Sequence, residues 1–304
     1  MQPQINVEVH LGKIRQNVQQ IRQTTGVPVI AVIKADAYGT GIVAIVNAID
    51  DLVDGYYVFE PREVIDSGVD QLSSRSFIAA VCHDADAQTL RSHRIRPAVW
   101  SRQQADRWRA CDPVLSVDTG QQRFACQPQD IDAVLKAGNC REAFTHASNA
   151  TQAGRFDELT CGRGLRRHAA GTSLLHCPTA RFDAVRPGLA VYRGAVRVST
   201  RLVEARDSLG PAGYSGFVVP RHGVIFGGYS DGLTGGICLI NGVKRRILEV
   251  GMQSSFVELG PHDRAGDEVV LLGDSLTEAD AGNAWRCGAH EALYRLCRCG
   301  RRQY

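Results

Sequence analysis

At 304 residues the chain exceeds the usual size of a single hydrophobic core, which points to one large domain with a smaller one, or to a barrel with an extension. Its 44% hydrophobic and 22% charged composition is that of a soluble globular enzyme, and 35 basic against 32 acidic residues (net +3) is too balanced for a nucleic-acid binder. No apolar run approaches the roughly 20 residues that cross a bilayer as a helix, which argues against a membrane protein. Residues 1–9 lack the basic patch and long apolar stretch of a secretory signal, so a cytoplasmic protein is expected. In that compartment the ten scattered cysteines are expected to be free thiols. Cys297-Arg-Cys299 has no second ligand pair at a matching spacing, so no metal site is expected.

The first two-thirds of the chain alternates short apolar runs with helical periodicity. The runs, at 27–33, 56–59, 77–81, 98–100, 114–117, 143–145, 168–170 and 189–192, give eight predicted strands. Helices are predicted between several of them, at 11–24, 42–52, 104–110, 128–137 and 153–160. Repeated strand–helix order with apolar strands argues for a parallel sheet covered by helices, and eight units suggest a (β/α)8 TIM barrel of the α/β class. After about residue 195 the texture changes. Val-, Ile- and Gly-rich runs at 196–205, 216–226, 236–249, 255–259 and 268–272 are separated by turn residues, with one helical stretch at 284–296. The chain therefore divides into a barrel domain, 1–195, and a C-terminal, mostly β domain, 196–304.

The strongest local feature is Val29-Ile-Ala-Val-Ile-Lys34-Ala-Asp-Ala-Tyr38-Gly39-Thr-Gly41, an apolar strand ending in a lysine and then a glycine-rich turn. Active sites of parallel barrels form at the C-terminal ends of strands. An amine among apolar neighbours loses the solvation that keeps it protonated, so its pKa falls and it becomes a usable nucleophile. The alternative is a strand-end lysine that simply reaches water. Late arginines, as in Arg163-Gly-Leu-Arg166-Arg167, form either a solvated basic face or part of an anionic site.

Lys34-Ala-Asp-Ala-Tyr38-Gly-x-Gly resembles the pyridoxal 5'-phosphate (PLP) lysine motif of the alanine racemase family. Further segments in the same order carry the resemblance over nearly the whole chain. Asp118-Thr-Gly-Gln-Gln-Arg123 is similar to the family's Asp-Thr-Gly-x-x-Arg, and Thr145-His146 to its Thr-His. His168-Ala-Ala-Gly-Thr172 resembles His-x-Ala-Asn-Ser, and Arg186-Pro-Gly-Leu-Ala-Val-Tyr192 resembles Arg-Pro-Gly-Ile-Ala-x-Tyr. Gly213-Tyr214-Ser-Gly216 is similar to the segment with the second catalytic base, and Gly228-Tyr-Ser-Asp231-Gly232 to Gly-Tyr-Ala-Asp-Gly.

The resemblance implies an N-terminal barrel, a C-terminal β domain and a homodimer whose active site is completed by the partner's β domain. It implies a PLP-dependent alanine racemase with a small amino-acid substrate, supplying D-alanine for cell-wall precursors. Lys34 would carry PLP and act as one base, and Tyr214 from the partner chain would be the other. Inversion at a carbon needs a base on each face, one to take a proton and one to return it. Arg186 would face the pyridine nitrogen, His146 would pack against the ring, and His168 would join the network near Arg186 and the second base. Arg123 would lie near the substrate carboxylate. Tyr38, Thr172, Gly188, Leu189 and His290 would hold the phosphate.

The chain departs from the family at several points. Thr40 stands where many members have histidine, Gly171-Thr172 replaces Asn-Ser, and His290 falls where a phosphate-binding tyrosine is usual. Val250-Gly-Met-Gln-Ser-Ser255-Phe replaces a segment whose Met-Asp pair borders the substrate carboxylate. That altered edge leaves open a racemase of another small amino acid such as serine. A non-racemising PLP enzyme or a PLP carrier on the same fold stays open as well.

Overall fold

A computed structural model describes residues 5–304. It divides the chain into two compact units. The barrel unit holds Ile14–Ala37 and Ile42–Val191. The β unit holds residues 5–13, Tyr38–Gly41 and Tyr192–Tyr304. The single cut expected at 195/196 thus meets a chain whose first strand and a four-residue strap group with its C-terminal part.

In chain order, β1 (Asn6–Val9) belongs to the β unit. The barrel unit then supplies β2 (Ile30–Val32), β3 (Gly55–Val58), β4 (Phe77–Ala79), β5 (Ile95–Val99), β6 (Val114–Ser116), β7 (Glu142–Ala147) and β8 (Arg166–Ala170). These seven are parallel and pair in sequential order. The eighth position is filled by Ala184 and Val185, which form parallel bridges to His168 of β8 and to Val29 just before β2. This closes the barrel, and Ile30, Ile78, Ala98, Val114, Phe144 and Ala184 cluster as buried core. The expected TIM barrel is therefore present, with one strand relocated. Residues 189–192 are not the eighth strand but a short helix, Leu189–Tyr192. A four-residue apolar run carries no periodicity that separates strand from helix, and the wall pairing ends at Pro187, whose carbonyl accepts from Val32 N (3.0 Å) just before the helix begins.

Three barrel helices begin where the loop after a strand offers a capping oxygen. Asp86 accepts from Thr89 N (2.9 Å), Ser101 from Gln104 N (3.3 Å) and Asn149 from Gln152 N (3.0 Å). Each satisfies an amide that the first helical turn leaves unpaired. The helices Arg62–Ile65 and Ala87–Ser92 were not among the predicted elements; four and six residues are too short to show a helical period.

The β unit continues with β9 (Val196–Asp207), β10 (Arg221–Phe226), β11 (Gly236–Ile240), β12 (Val243–Val250), β13 (Ser254–Glu258), β14 (Glu268–Leu272) and β15 (Arg301–Gln303). Its order is β10-β13-β12-β11-β14-β9-β1-β15, and a further β10–β9 pairing closes the first six into an antiparallel barrel. The predicted run 236–249 is a hairpin folded at Asn241-Gly242, both at positive φ (52° and 76°). Asn-Gly is the dipeptide that two-residue hairpin turns favour. The predicted strand 216–226 starts only at Arg221, and the helix 284–296 is two, Glu278–Trp285 and Ala289–Cys297, broken at Arg286 (φ 53°).

Candidate active site

Strand β2 and Ile33 are buried, and the chain then turns sharply at Lys34. Ala35, Asp36, Ala37 and Tyr38 all lie in the left-handed region, at φ 53–59°. Such a run costs roughly 1–2 kcal/mol for each residue with a Cβ, so something must hold it. Within the barrel unit Ala37 N donates to Ile33 O (2.9 Å) and Ile42 N to Asp36 Oδ1 (2.8 Å). The Glu63 carboxylate accepts from Ala35 N with one oxygen, and from Phe59 N (2.5 Å) and Glu60 N (3.3 Å) with the other. In the β unit the end of the turn is held separately: Arg302 Nη1 donates to Gly39 O (3.0 Å), and the Tyr38 and Tyr192 rings lie 4.9 Å apart.

The half-buried Lys34 borders a cavity of about 130 Å³ shared with Tyr57, Arg123, Phe144, Thr145 and His146. Several of these stand on or just beyond the C-terminal ends of parallel strands, as expected for a barrel site. Burial lowers the Lys34 pKa below its ordinary value, the charges of Arg123 and Arg186 lower it further, and Glu63 opposes them. His146 is pushed down to about 4 by surrounding protein and then by Arg186, Lys34 and Arg123. The residue as a whole is nonetheless exposed. Water moderates the burial effect, and the three cations act in the same direction. Arg123 is also exposed, its guanidinium 5.9 Å from the Phe124 ring centroid.

Arg186 follows the barrel-closing pair and is 5% exposed. Its Nη2 donates to Thr145 O (2.6 Å), and its guanidinium carbon lies 4.3 Å from the Phe144 centroid and 4.9 Å from that of Tyr57. His168 is fully buried and stacks on Phe144. Its Nε2 lies 2.9 Å from Glu142 Oε1, and Glu142 Oε2 lies 2.6 Å from Arg96 Nη1. Burial alone would raise the Glu142 carboxyl, but His168 and Arg96 outweigh it and hold it at about 2. Burial pushes His168 down to about 4 against the pull of Glu142. At neutral pH the pair is thus carboxylate and neutral imidazole. The carboxylate can only accept, so Nε2 carries the proton and Nδ1 is left an acceptor. His168 Nδ1 and Arg186 Nε are both buried without a hydrogen-bond partner in the structure. Leaving such a group unpaired costs about 1–3 kcal/mol.

The remaining predicted site residues fall into two groups. In the barrel unit Thr172 Oγ1 accepts from Ala190 N (3.1 Å), beside Gly188 and Leu189 at the start of the short helix. In the β unit His290 is exposed on the helix Ala289–Cys297, and Tyr214 is 96% exposed on the loop between β9 and β10. At the altered edge Ser255 is buried and donates its hydroxyl to Gly227 O (2.7 Å), so it serves the β unit's own packing. Among the described residues no cluster of His, Cys, Asp or Glu could hold a metal, and no helix is long and apolar enough to cross a membrane.

Residues 9–196 match the family described as alanine racemase, N-terminal domain. The chain belongs to the alanine racemase family. It is 26% identical to the biosynthetic alanine racemases of Salmonella typhimurium LT2 and Escherichia coli K12, over 95% of this chain and 96% of each relative. Its fold matches the biosynthetic alanine racemase of Pseudomonas aeruginosa with a TM-score of 0.90, at 23% identity over 100% of this chain and 99% of the other. It also matches a Bartonella henselae alanine racemase with covalently bound pyridoxal phosphate, at 0.87 and 20% identity over 99% of both chains.

Against that family background, sequence reasoning missed three residues of the barrel site: Glu63, Tyr57 and Glu142. Glu142 left one signal, a carboxylate opening a run that is otherwise buried, since a buried acid demands a partner. Nothing local marked Glu63. Its role exists only because the turn after β2 comes beside the loop after β3 in the folded barrel.

Proposed function

We propose that this racemase-family chain interconverts L- and D-alanine with PLP carried on Lys34, as a homodimer in which Tyr214 serves the partner's site. The observation that carries the reading is Lys34: an amine at a barrel strand end, depressed by burial and two guanidiniums, beside a cavity. Bound there, PLP supplies the electron sink that makes an α-hydrogen acidic.

The residues present suit that group. Arg186 Nε is a buried donor without an acceptor, and a ring nitrogen is an acceptor without a proton. A guanidinium does not readily give its proton up, so Arg186 would hold the nitrogen without protonating it. His146 would flank the ring as a neutral imidazole. Arg123 offers a planar fork suited to the substrate carboxylate. Tyr38, Thr172, Gly188, Leu189 and His290 would serve the phosphate, with hydroxyl, imidazole and backbone donors.

Lys34 would exchange a proton with one face of the α-carbon and Tyr214 with the other, which is the arrangement inversion requires. The near-complete exposure of the Tyr214 side chain supports its being offered to a second copy. The experiment is proton exchange: incubate the protein and PLP in D2O with single-enantiomer alanine and a panel of other amino acids, and measure Cα deuteration with chiral analysis. Deuterated alanine of the opposite hand supports the reading. Inversion confined to another amino acid, or deuteration with no inversion of any, overturns it.

A further inference from the structure

Tyr214 combines an almost fully exposed side chain with a tightly fastened backbone. The Glu249 carboxylate accepts from Tyr214 N (2.9 Å) with Oε1, and from Ser215 N (2.7 Å) and the Ser215 hydroxyl with Oε2. Glu249 reaches the loop from β12 just past a register shift, where pairing passes from Ile247–Val257 to Glu249–Phe256 and leaves Leu248 over. A bulge of this kind re-aims the side chains that follow it. Gly213 (φ +68°) completes the seat, because a Cβ there would come within 2.6 Å of the Phe217 ring and 2.8 Å of Glu249 Oε2. On the far side of the loop Ala212 N donates to Phe217 O (2.9 Å), and the Phe217 ring packs against Phe256 and His222.

We infer that Glu249 is a positioning residue for the second base: it fixes the Tyr214 backbone so that the phenol is presented in one place before any partner arrives. The inference rests on the reading of Tyr214 as that base. Tethers at an exposed loop add little to global stability, so this one acts on the loop itself. With the backbone fixed, the phenol retains only its two side-chain torsions. Three donors pull the Glu249 carboxyl below its ordinary value, first the Ser215 hydroxyl and then the two amides, so the acceptor remains charged at neutral pH.

The test compares Glu249→Gln with Tyr214→Phe in the PLP-loaded enzyme by two readouts. One is hydrogen exchange at the Tyr214 and Ser215 amides. The other is the ratio of Cα deuteration to inversion for each alanine enantiomer in D2O. A lost second base leaves the first free to exchange one enantiomer without inverting it, so the ratio rises. Glu249→Gln is expected to speed exchange at both amides about tenfold and to raise the ratio about tenfold through misplacement of the phenol. Its KM should be little changed, and it should add nothing in the Tyr214→Phe background. If Tyr214→Phe leaves the ratio unchanged, the assignment of the base fails and the inference falls with it. If Tyr214→Phe raises the ratio but Glu249→Gln does not, or does not release the amides, the base stands and the positioning role is overturned.

Discussion

The two residues proposed as bases sit in opposite kinds of surroundings. Lys34 is built into its unit: a strand end, a strained turn, two guanidiniums and a counter-carboxylate all act on its amine from within the same barrel. Tyr214 is 96% exposed, and what its own unit supplies is a fixed backbone. On the proposed reading, one base is tuned where it stands and the other only placed. The comparison teaches that chemistry can be finished inside one folding unit and left half-built in the other, to be completed by whatever surface the phenol meets.

Substitutions break the comparison from its buried side first. Lys34→Ala should abolish the borohydride-reducible PLP adduct and racemisation together, read by mass spectrometry after reduction and by chiral assay. A normal adduct on the variant would sink the assignment. Next comes Glu142→Gln, which removes the charge buried between Arg96 and His168. Breaking such a pair costs about 3 kcal/mol, seen as a lower urea midpoint at pH 7. Acid should act on the same network. His168 is depressed to about 4 and Glu142 to about 2, so over the interval from pH 6.5 down to 2 the unfolded chain binds more protons than the folded one. Stability therefore falls as pH falls through that window, by at most about 1.4 kcal/mol per pH unit for each group. His168→Asn should flatten the part between 6.5 and 4. Third is Glu63→Ala, which frees Ala35 N. The left-handed turn loses about 1–2 kcal/mol of support, so PLP titration should show weaker binding together with a thermal midpoint lower by a few degrees.

How much of this was legible depended on distance along the chain. Lys34 could be read because the strand and the turn that make it special are its sequence neighbours. The barrel could be read from the repetition of apolar runs, except at Ala184–Val185, where two bridging residues are too few to leave a pattern. β1 and β15 escaped because their pairing, Asn6 with Arg301, joins the two ends of the described chain. Asn241-Gly242 carries a turn signal of its own, although the longer apolar run around it masks the hairpin. Glu63, Glu142 and Glu249 share one character. Each acts on a residue 26 to 35 positions away, Ala35 at 28, His168 at 26 and Tyr214 at 35, and only the fold brings them there.

The smallest change sharpens the comparison from its exposed side. Gly213→Ala adds one methyl group at φ +68°, where a side chain costs about 1–2 kcal/mol before any collision. The new Cβ would then meet the Phe217 ring and Glu249 Oε2. A barrel-wall residue could not escape such a collision, but a surface loop can let go of one of its two pins. If Phe217 yields, the ring leaves Phe256 and His222 and the thermal midpoint drops. If Glu249 yields, the core is untouched and only the Tyr214 and Ser215 amides lose protection. The backbone of the carboxylate sits in a paired strand while its head group lies at the surface, so the second route is the cheaper. The expected result is faster exchange at those two amides, slower racemisation at unchanged PLP binding, and a stability loss no larger than the about 1–2 kcal/mol of backbone strain itself. A clear fall in the midpoint with protected amides would show instead that the aromatic pin, and not the carboxylate, holds the phenol in place.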